Sequence, residues 1–214
     1  MIFPRYFRLI QSWFPSNNWL VKLSLFHDKR GPVWATLKIL TDTLKRHNIN
    51  YAVVGGVAVH IHGYERLTND CDILLAKADV KCFEENIVGT YVKPKFKGAK
   101  RKFVCNETKC PIDIIIEGEY PGKGEEVPVA FPSPRTSSQL IDGMWVITLV
   151  KLIELKLSSY KSLPGHRVKD KADVVELIVA NNLKKPFADL LHPYVRSDYK
   201  DIIDLMEKEK LEIK

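Results

Sequence analysis

Long apolar runs are absent from this 214-residue sequence. No stretch reaches the roughly 18 consecutive apolar residues that suggest a membrane-spanning helix. The sequence therefore predicts no membrane partner. Internal repeats and low-complexity segments are also absent, which excludes a repeat architecture. The length suits one domain with its own hydrophobic core, or a smaller domain that carries a helical appendage.

Cysteine is scarce in the chain. The four cysteines include no Cys-x-x-Cys pair, and Cys105 and Cys110 have no histidine at the spacing of a zinc site. The pattern predicts reduced thiols in a cytoplasmic protein.

Acidic residues are missing from the start of the chain, where none precedes Asp28. Residues 1–30 are instead aromatic and basic, as in a mitochondrial presequence, and they lack the apolar centre of a secretory signal. Two interpretations stay open. The segment is either a presequence, which would make the location mitochondrial, or an extra helix packed on the domain.

Acids are outnumbered along the whole chain, which carries a net charge of +7 and a sequence pI near 9.1. This balance favours polyanionic partners such as RNA, DNA and nucleotides, although many basic proteins bind none of them. One segment is particularly basic: residues 93–102 contain six lysines and arginines and no acid. A hairpin there would carry cations, with Phe96 available to stack on a base. The alternative is a solvated hairpin whose lysines protect an edge strand from aggregation.

Hydrophobic periodicity predicts an α+β fold. After Pro32, an apolar stripe of Val33, Leu37, Leu40 and Leu44 predicts a helix. The next predicted elements are a strand at 51–54 with a glycine turn, a helix at 57–62, a strand at 71–76, a helix at 78–88 and strands within 90–116.

The second half of the chain is predicted to be helical. Residues 117–137 are interpreted as a loop, and helices are predicted at 144–160 and 167–182, with two short ones up to residue 214. Mixed strands and helices followed by helices alone are typical of an α+β head with a helical extension. The predicted division is an N-terminal extension at 1–30, a head at 31–137 and a helical region at 138–214.

Three acids lie on strands where carboxylates are costly to bury. Asp70 and Asp72 are two residues apart, so a strand points both to the same face and Cys71 to the other. Paired carboxylates repel unless a cation lies between them. Asp113 lies in a third hydrophobic strand, between Ile112 and Ile114. Together these acids predict a site for two Mg²⁺ ions, of the kind that catalyses phosphoryl or nucleotidyl transfer.

A glycine pair supplies the complementary feature. Gly55 and Gly56 follow the predicted strand at 51–54 and precede a helix. Glycine lets backbone N–H groups come close to an anion, and a helix directs its positive end to the same place. The order of strand, glycine pair, helix and Asp-x-Asp strand therefore predicts a triphosphate beside its metals.

The stretch "GGVAVHIHGYERLTNDCDI" resembles the nucleotidyltransferase superfamily that includes DNA polymerase beta. It looks most similar to the AbiEii-like branch, some members of which are toxins with antitoxin partners. "LIELKLSSY" and "RVKDKADVVELI" are similar to that branch's later helices. The resemblance implies a polymerase-beta-like head. It also implies that Asp70, Asp72 and Asp113 bind metal and that Gly55 and Gly56 bind phosphate. Lys156 and Asp170 match the later motifs of that branch.

Lys156 also has a physical argument of its own. It lies on the apolar stripe of its predicted helix, where a cation needs an anion such as a triphosphate, unless it extends to solvent from the end of the stripe. Asp170 or, alternatively, Asp173 would orient it, and either acid could simply favour the start of a helix. Arg66 is a candidate contact for the phosphate or base. His60 and His62 are interpreted as packing residues or as residues of a polar helix face.

These patterns predict a Mg²⁺-dependent nucleotidyltransferase that moves an NMP from an NTP to a hydroxyl group. RNA, including a tRNA end, is the first expectation for the acceptor, and a small-molecule or protein hydroxyl is the second. An antitoxin-like protein partner follows from the resemblance. The rival hypothesis is a catalytically silent module that binds nucleotide or RNA, although the presence of all three carboxylates argues against it.

Overall fold

The computed structural model describes residues 25–121 and 127–212, and they are built around one seven-stranded mixed sheet. The strand order across the sheet is β3-β4-β5-β2-β1-β7-β6. The strands are β1 (Tyr51–Val54), β2 (Cys71–Leu75), β3 (Val92–Pro94), β4 (Lys102–Cys105), β5 (Pro111–Ile116), β6 (Ser138–Ile141) and β7 (Met144–Ile147).

Helices connect the strands, and the chain after β7 is mainly helical. Short 3₁₀ helices occur at Lys77–Asp79 and Lys185–Leu190. No helix within the described ranges has the length and apolar character to cross a membrane. The α-helices are α1 (Pro32–Arg46), α2 (Gly55–Ile61), α3 (Val80–Asn86), α4 (Pro134–Ser137), α5 (Leu149–Ser162), α6 (Val168–Ala180) and α7 (Pro193–Glu212).

The centre of the sheet is its most buried part. β1 pairs antiparallel with β2 and parallel with β7, and β2 pairs parallel with β5. All four side chains of β1 are buried, as are four of the five in β2. Strands covered on both faces have continuous apolar sequences rather than alternating ones. The exception in β2 is Asp72, which is only partly buried.

Most predicted elements of the head are confirmed. The apolar stripe after Pro32 lies on α1, where Leu37, Leu40 and Leu44 are fully buried. The glycine pair begins α2 itself rather than preceding it. The α+β class predicted from the sequence is confirmed.

One predicted helix is wrong over its first residues. The sequence places a helix at 144–160, but Met144–Ile147 is strand β7, and α5 begins only at Leu149. Residues 138–147 were assigned to a helical region, yet they form a hairpin that completes the sheet. The turn is Asp142-Gly143, both with positive φ, a sequence typical of a tight hairpin. Thr148 then caps α5 by accepting a hydrogen bond from the backbone N–H of Lys151.

The end of the chain also differs from the prediction of two short helices. The first is the 3₁₀ helix, but the second, α7, extends over 20 residues. Its buried Tyr199 lies against Phe187, with ring centroids 5.6 Å apart. The N-terminal interpretations concern residues 1–30, of which 1–24 lie outside the described residues. The domain division stays a prediction.

Candidate active site

The three predicted carboxylates lie together at one cleft of about 430 Å³. Asp72 on β2 and Asp113 on β5 are direct partners in the parallel ladder, and Asp70 immediately precedes β2. Cys71, between the two acids, is fully buried and points its thiol toward the carbonyl of Val33. The sheet therefore brings acids 41 residues apart in the sequence (72 and 113) to adjacent positions.

Gly55 makes room for Asp72. Its φ of +61° is unfavourable for other residues, and a Cβ added there would lie 1.8 Å from Asp72 Oδ2. The backbone N–H of Gly56 lowers the pKa of the Asp72 carboxyl group. A Cβ at Gly56 would lie 2.7 Å from Thr68 Oγ1. In this structure the glycine pair thus fits around the acid cluster, and its predicted contact with phosphates stays a prediction.

Asp72 has a strongly perturbed affinity for protons. Burial, followed by the negative charges of Asp70 and Asp113, raises the pKa of its carboxyl group to about 6. The Gly56 N–H and the Lys156 ammonium act in the opposite direction without cancelling the effect. A carboxylate held against two others is electrostatically unfavourable and would be stabilised by an added cation.

The other two acids already have partners. Thr68 Oγ1 donates to Asp70 Oδ1 at 2.6 Å, and Lys102 Nζ donates to Asp113 Oδ2 at 2.6 Å. The Lys102 contact follows from the sheet, because Lys102 on β4 is the ladder partner of Asp113. The hydrogen bond to Asp113 raises the pKa of Lys102. The sequence assigned Lys102 only to the basic hairpin and missed this role.

Within 25–121 and 127–212, no three His, Cys, Asp or Glu side chains are arranged as a ready metal site. The donor set nevertheless fits a hard cation, since all three carboxylates face one cleft and Asp72 forms no salt bridge with any described residue. Asp70 and Asp72 could hold such an ion directly. Asp113 could join them if it exchanged Lys102 for the metal.

Lys156 lies in an ion-pair network on the opposite wall. Its Nζ is 2.8 Å from Asp170 Oδ1 and 2.7 Å from Asp173 Oδ2, and its side chain is 11% exposed. The sequence left open whether Asp170 or Asp173 would contact this lysine, and in the structure both acids do. Arg66 holds Asp173 with Nε and Nη2, at 2.7 and 3.0 Å. Ser159 donates to Asp170.

The mouth of the cleft is basic, and part of its wall is apolar. Six lysine and arginine side chains line it against four aspartates. The sequence had indicated four of these cations, Arg66, Lys156 and the hairpin residues Arg101 and Lys102, whereas Arg167 and Lys169 had not been singled out. The cations are Arg66, Arg101, Lys102, Lys156, Arg167 and Lys169, and the apolar wall includes Tyr120, Phe131, Leu152 and Leu155.

The interpretation of the two histidines as packing residues is confirmed. Both are buried: His60 packs against Phe26 and Trp34, and His62 Nε2 contacts the carbonyl of Ile147 at 2.7 Å. Burial lowers the pKa of both histidines. All four cysteines are free thiols, as predicted.

No family model and no curated protein sequence matches the chain. Several solved structures are similar to the chain in fold. The crystal structure of the nucleotidyltransferase ANT(2″)-Ia in complex with adenylyl-2″-tobramycin has a TM-score of 0.50 at 13% identity, over 78% of this chain and 97% of the other. The chain has a nucleotidyltransferase fold. An antigenic nucleotidyltransferase-like protein from Paracoccidioides brasiliensis gives a TM-score of 0.49 at 14% identity, over 79% and 91% of the two chains. The AbiEii-like branch stays a prediction.

Proposed function

We propose that this protein is a Mg²⁺-dependent nucleotidyltransferase that moves an NMP from an NTP to a hydroxyl acceptor and releases pyrophosphate. The observation that carries the proposal is the junction of Gly55, Asp72 and Asp113. Any side chain at Gly55 would overlap the carboxylate of Asp72. The carboxylate of Asp113 lies beside Asp72, at the paired position of the neighbouring strand. This arrangement costs stability without a cation, and such costs are typical of functional sites.

Each group has a defined role in the proposed reaction. Asp70 and Asp72 would hold Mg²⁺, with Asp113 completing the set and accepting the proton of the acceptor hydroxyl. Bound Mg²⁺ would neutralise charge on the transferring phosphoryl group. Lys156, fixed by two acids, would place its positive charge toward the triphosphate, and Arg66 would hold Asp173 in position for that purpose.

We propose RNA, including a tRNA end, as the acceptor. The support is the excess of cations over acids at the cleft and the basic hairpin beside it, since two hairpin residues, Arg101 and Lys102, line the cleft. Such a surface suits a phosphate backbone and would repel a polycationic acceptor. An antitoxin partner has no support beyond the sequence resemblance.

The test is transfer of label. Purified protein is incubated with each of the four α-³²P-labelled NTPs, Mg²⁺ and total RNA, and label is followed onto RNA, protein and small molecules. We expect label on RNA from one or two of the NTPs, and none with Asp70→Asn or with EDTA. Label on a small molecule would replace the RNA acceptor. Nucleotide binding without any transfer would favour the silent module.

A further inference from the structure

Lys102 stands out among the cations of the cleft because it occupies the place where a metal would neutralise Asp113. We propose that Lys102 is an internal counter-ion that competes with the metal for Asp113 and yields it when metal and nucleotide bind. It would therefore be a positioning residue that couples metal binding to substrate binding. This inference rests on the proposed function.

The sheet itself fixes the contact. Lys102 and Asp113 are direct partners on the antiparallel strands β4 and β5, so their side chains emerge on one face. The Nζ–Oδ2 distance is 2.6 Å, so the ammonium and the carboxylate are in direct contact as a charge-assisted pair. Asp70 and Asp72 also act on this ammonium group through their negative charges. Lys102 is thus directed at the whole acid cluster.

Lys102 differs from Lys156 in how firmly it is held. The Lys156 side chain is 11% exposed and contacts two acids, whereas the Lys102 side chain is 51% exposed and contacts only Asp113 among the described residues. A half-exposed lysine on a flexible stem can move without unfolding its strand. Lys102 can therefore leave Asp113, while Lys156 stays in place.

The exchange conserves local charge balance. Without metal, the ammonium neutralises part of the acid cluster. When Mg²⁺ takes Asp113, the displaced ammonium remains at the mouth of the same cleft, where a triphosphate offers a new anion. Metal alone must displace Lys102 without that compensation. Metal and nucleotide should therefore bind cooperatively, by the reciprocity of linked binding.

The experiment measures Mn²⁺ binding to the full chain by electron paramagnetic resonance, without nucleotide. Lys102→Gln should bind Mn²⁺ about five- to tenfold more tightly than wild type, because no ammonium competes for Asp113. Lys102→Arg, which keeps the charge, should resemble wild type. The control Lys97→Gln makes the same change in net charge at an exposed position of the same hairpin and should leave the affinity unchanged.

A second pair of variants isolates the contact. In the Asp113→Asn background, Lys102→Gln should raise the Mn²⁺ affinity much less, because only the weaker effect of the ammonium on Asp70 and Asp72 remains. Equal affinities for wild type and Lys102→Gln, or equal gains for Lys102→Gln and Lys97→Gln, would overturn the counter-ion role while leaving the proposed function intact. Failure of wild type and Lys102→Gln alike to bind Mn²⁺, even with a non-hydrolysable NTP, would instead overturn the proposed metal-dependent function.

Discussion

Asp72 and Gly55 are fitted to one another at the scale of single residues. The pKa of the Asp72 carboxyl group is raised to about 6. Gly55 has no Cβ, and the carboxylate of Asp72 occupies the space that a Cβ would need.

The first prediction concerns space at Gly55. Gly55→Ala should abolish nucleotidyl transfer and lower the free energy of unfolding by roughly 2–4 kcal/mol, since the new Cβ overlaps the carboxylate and φ is positive. Urea unfolding measures the loss. Gly98→Ala, at a φ of +83° with nothing within 4 Å, controls for backbone strain alone. The cost at Gly55 should shrink in an Asp72→Ala background, and an unchanged cost would place the strain elsewhere.

The second prediction concerns charge at Asp72. Its folded-state pKa of about 6 lies above the ordinary 3.8, so the folded protein retains a proton that the unfolded chain releases. The free energy of unfolding should therefore fall as pH rises from about 4 to 6. In EDTA, Asp72→Asn should be about 3 kcal/mol more stable than wild type at pH 8, and the difference should shrink toward pH 4. Urea unfolding at each pH tests this, and a constant difference would contradict it.

The β3–β4 hairpin shows how one element can serve two purposes. Its base places Arg101 and Lys102 in the cleft, where they pair with Glu119 and Asp113. Its tip, between the strands, carries exposed lysines and Phe96, a residue that is 59% exposed. Arg101 and Lys102 thus already pair with acids, whereas the lysines of the tip are exposed and available to a polyanion.

The third prediction tests the tip as an RNA contact. Replacing Lys95, Lys97 and Lys100 by Gln should weaken RNA binding and make the slope of log affinity against log salt shallower by somewhat under one per lost phosphate contact. NTP binding should be unchanged, because none of these residues lines the cleft.

The matched control replaces three exposed lysines on other elements, Lys38, Lys81 and Lys208, which makes the same change in net charge. RNA affinity is measured at several salt concentrations for all three proteins. If the hairpin variant and this control gave the same slope, the tip would have no specific part in RNA binding.

At the scale of the whole molecule, a buried ion-pair network joins the loop before β2 to helices α5 and α6. Arg66, from the loop before β2, and Lys156 on α5 both contact Asp173 on α6. Asp173 is 1% exposed, so its charge depends on these two cations. The network fixes α6 relative to the sheet and holds Lys156 at the cleft.

The fourth prediction removes the shared acid. Asp173→Asn should lower the free energy of unfolding by about 3 kcal/mol, because Arg66 loses its carboxylate in a largely buried position. Asp198→Asn, which breaks a more exposed pair with Lys161, should cost about 1 kcal/mol or less. Chemical denaturation of both variants provides the comparison. A cost at Asp173 no larger than that at Asp198 would mean that the network contributes little to holding α6.

The sequence by itself determined the local features of this protein. Continuous apolar strands, the apolar stripe of α1 and the alternation that separates Cys71 from its flanking acids depend on periods of two and 3.6 residues, which can be read directly from the chain. The acids of the site were recognisable because a carboxylate in an apolar strand is costly. The β6–β7 hairpin had its signal in Asp142-Gly143, but the apolar run after it obscured the change from strand to helix.

Only the tertiary structure decided which distant residues meet. The pairing of β4 with β5 converts Lys102 from a member of a basic segment into the partner of Asp113. The packing of α6 brings Asp173 to Arg66 across 107 positions of sequence. The phosphate-binding role of Gly55 stays a prediction, but only the ladder of β1 with β2 shows that its missing side chain also leaves space for Asp72. Sequence periodicity describes one element at a time, whereas these contacts arise from strand order and register.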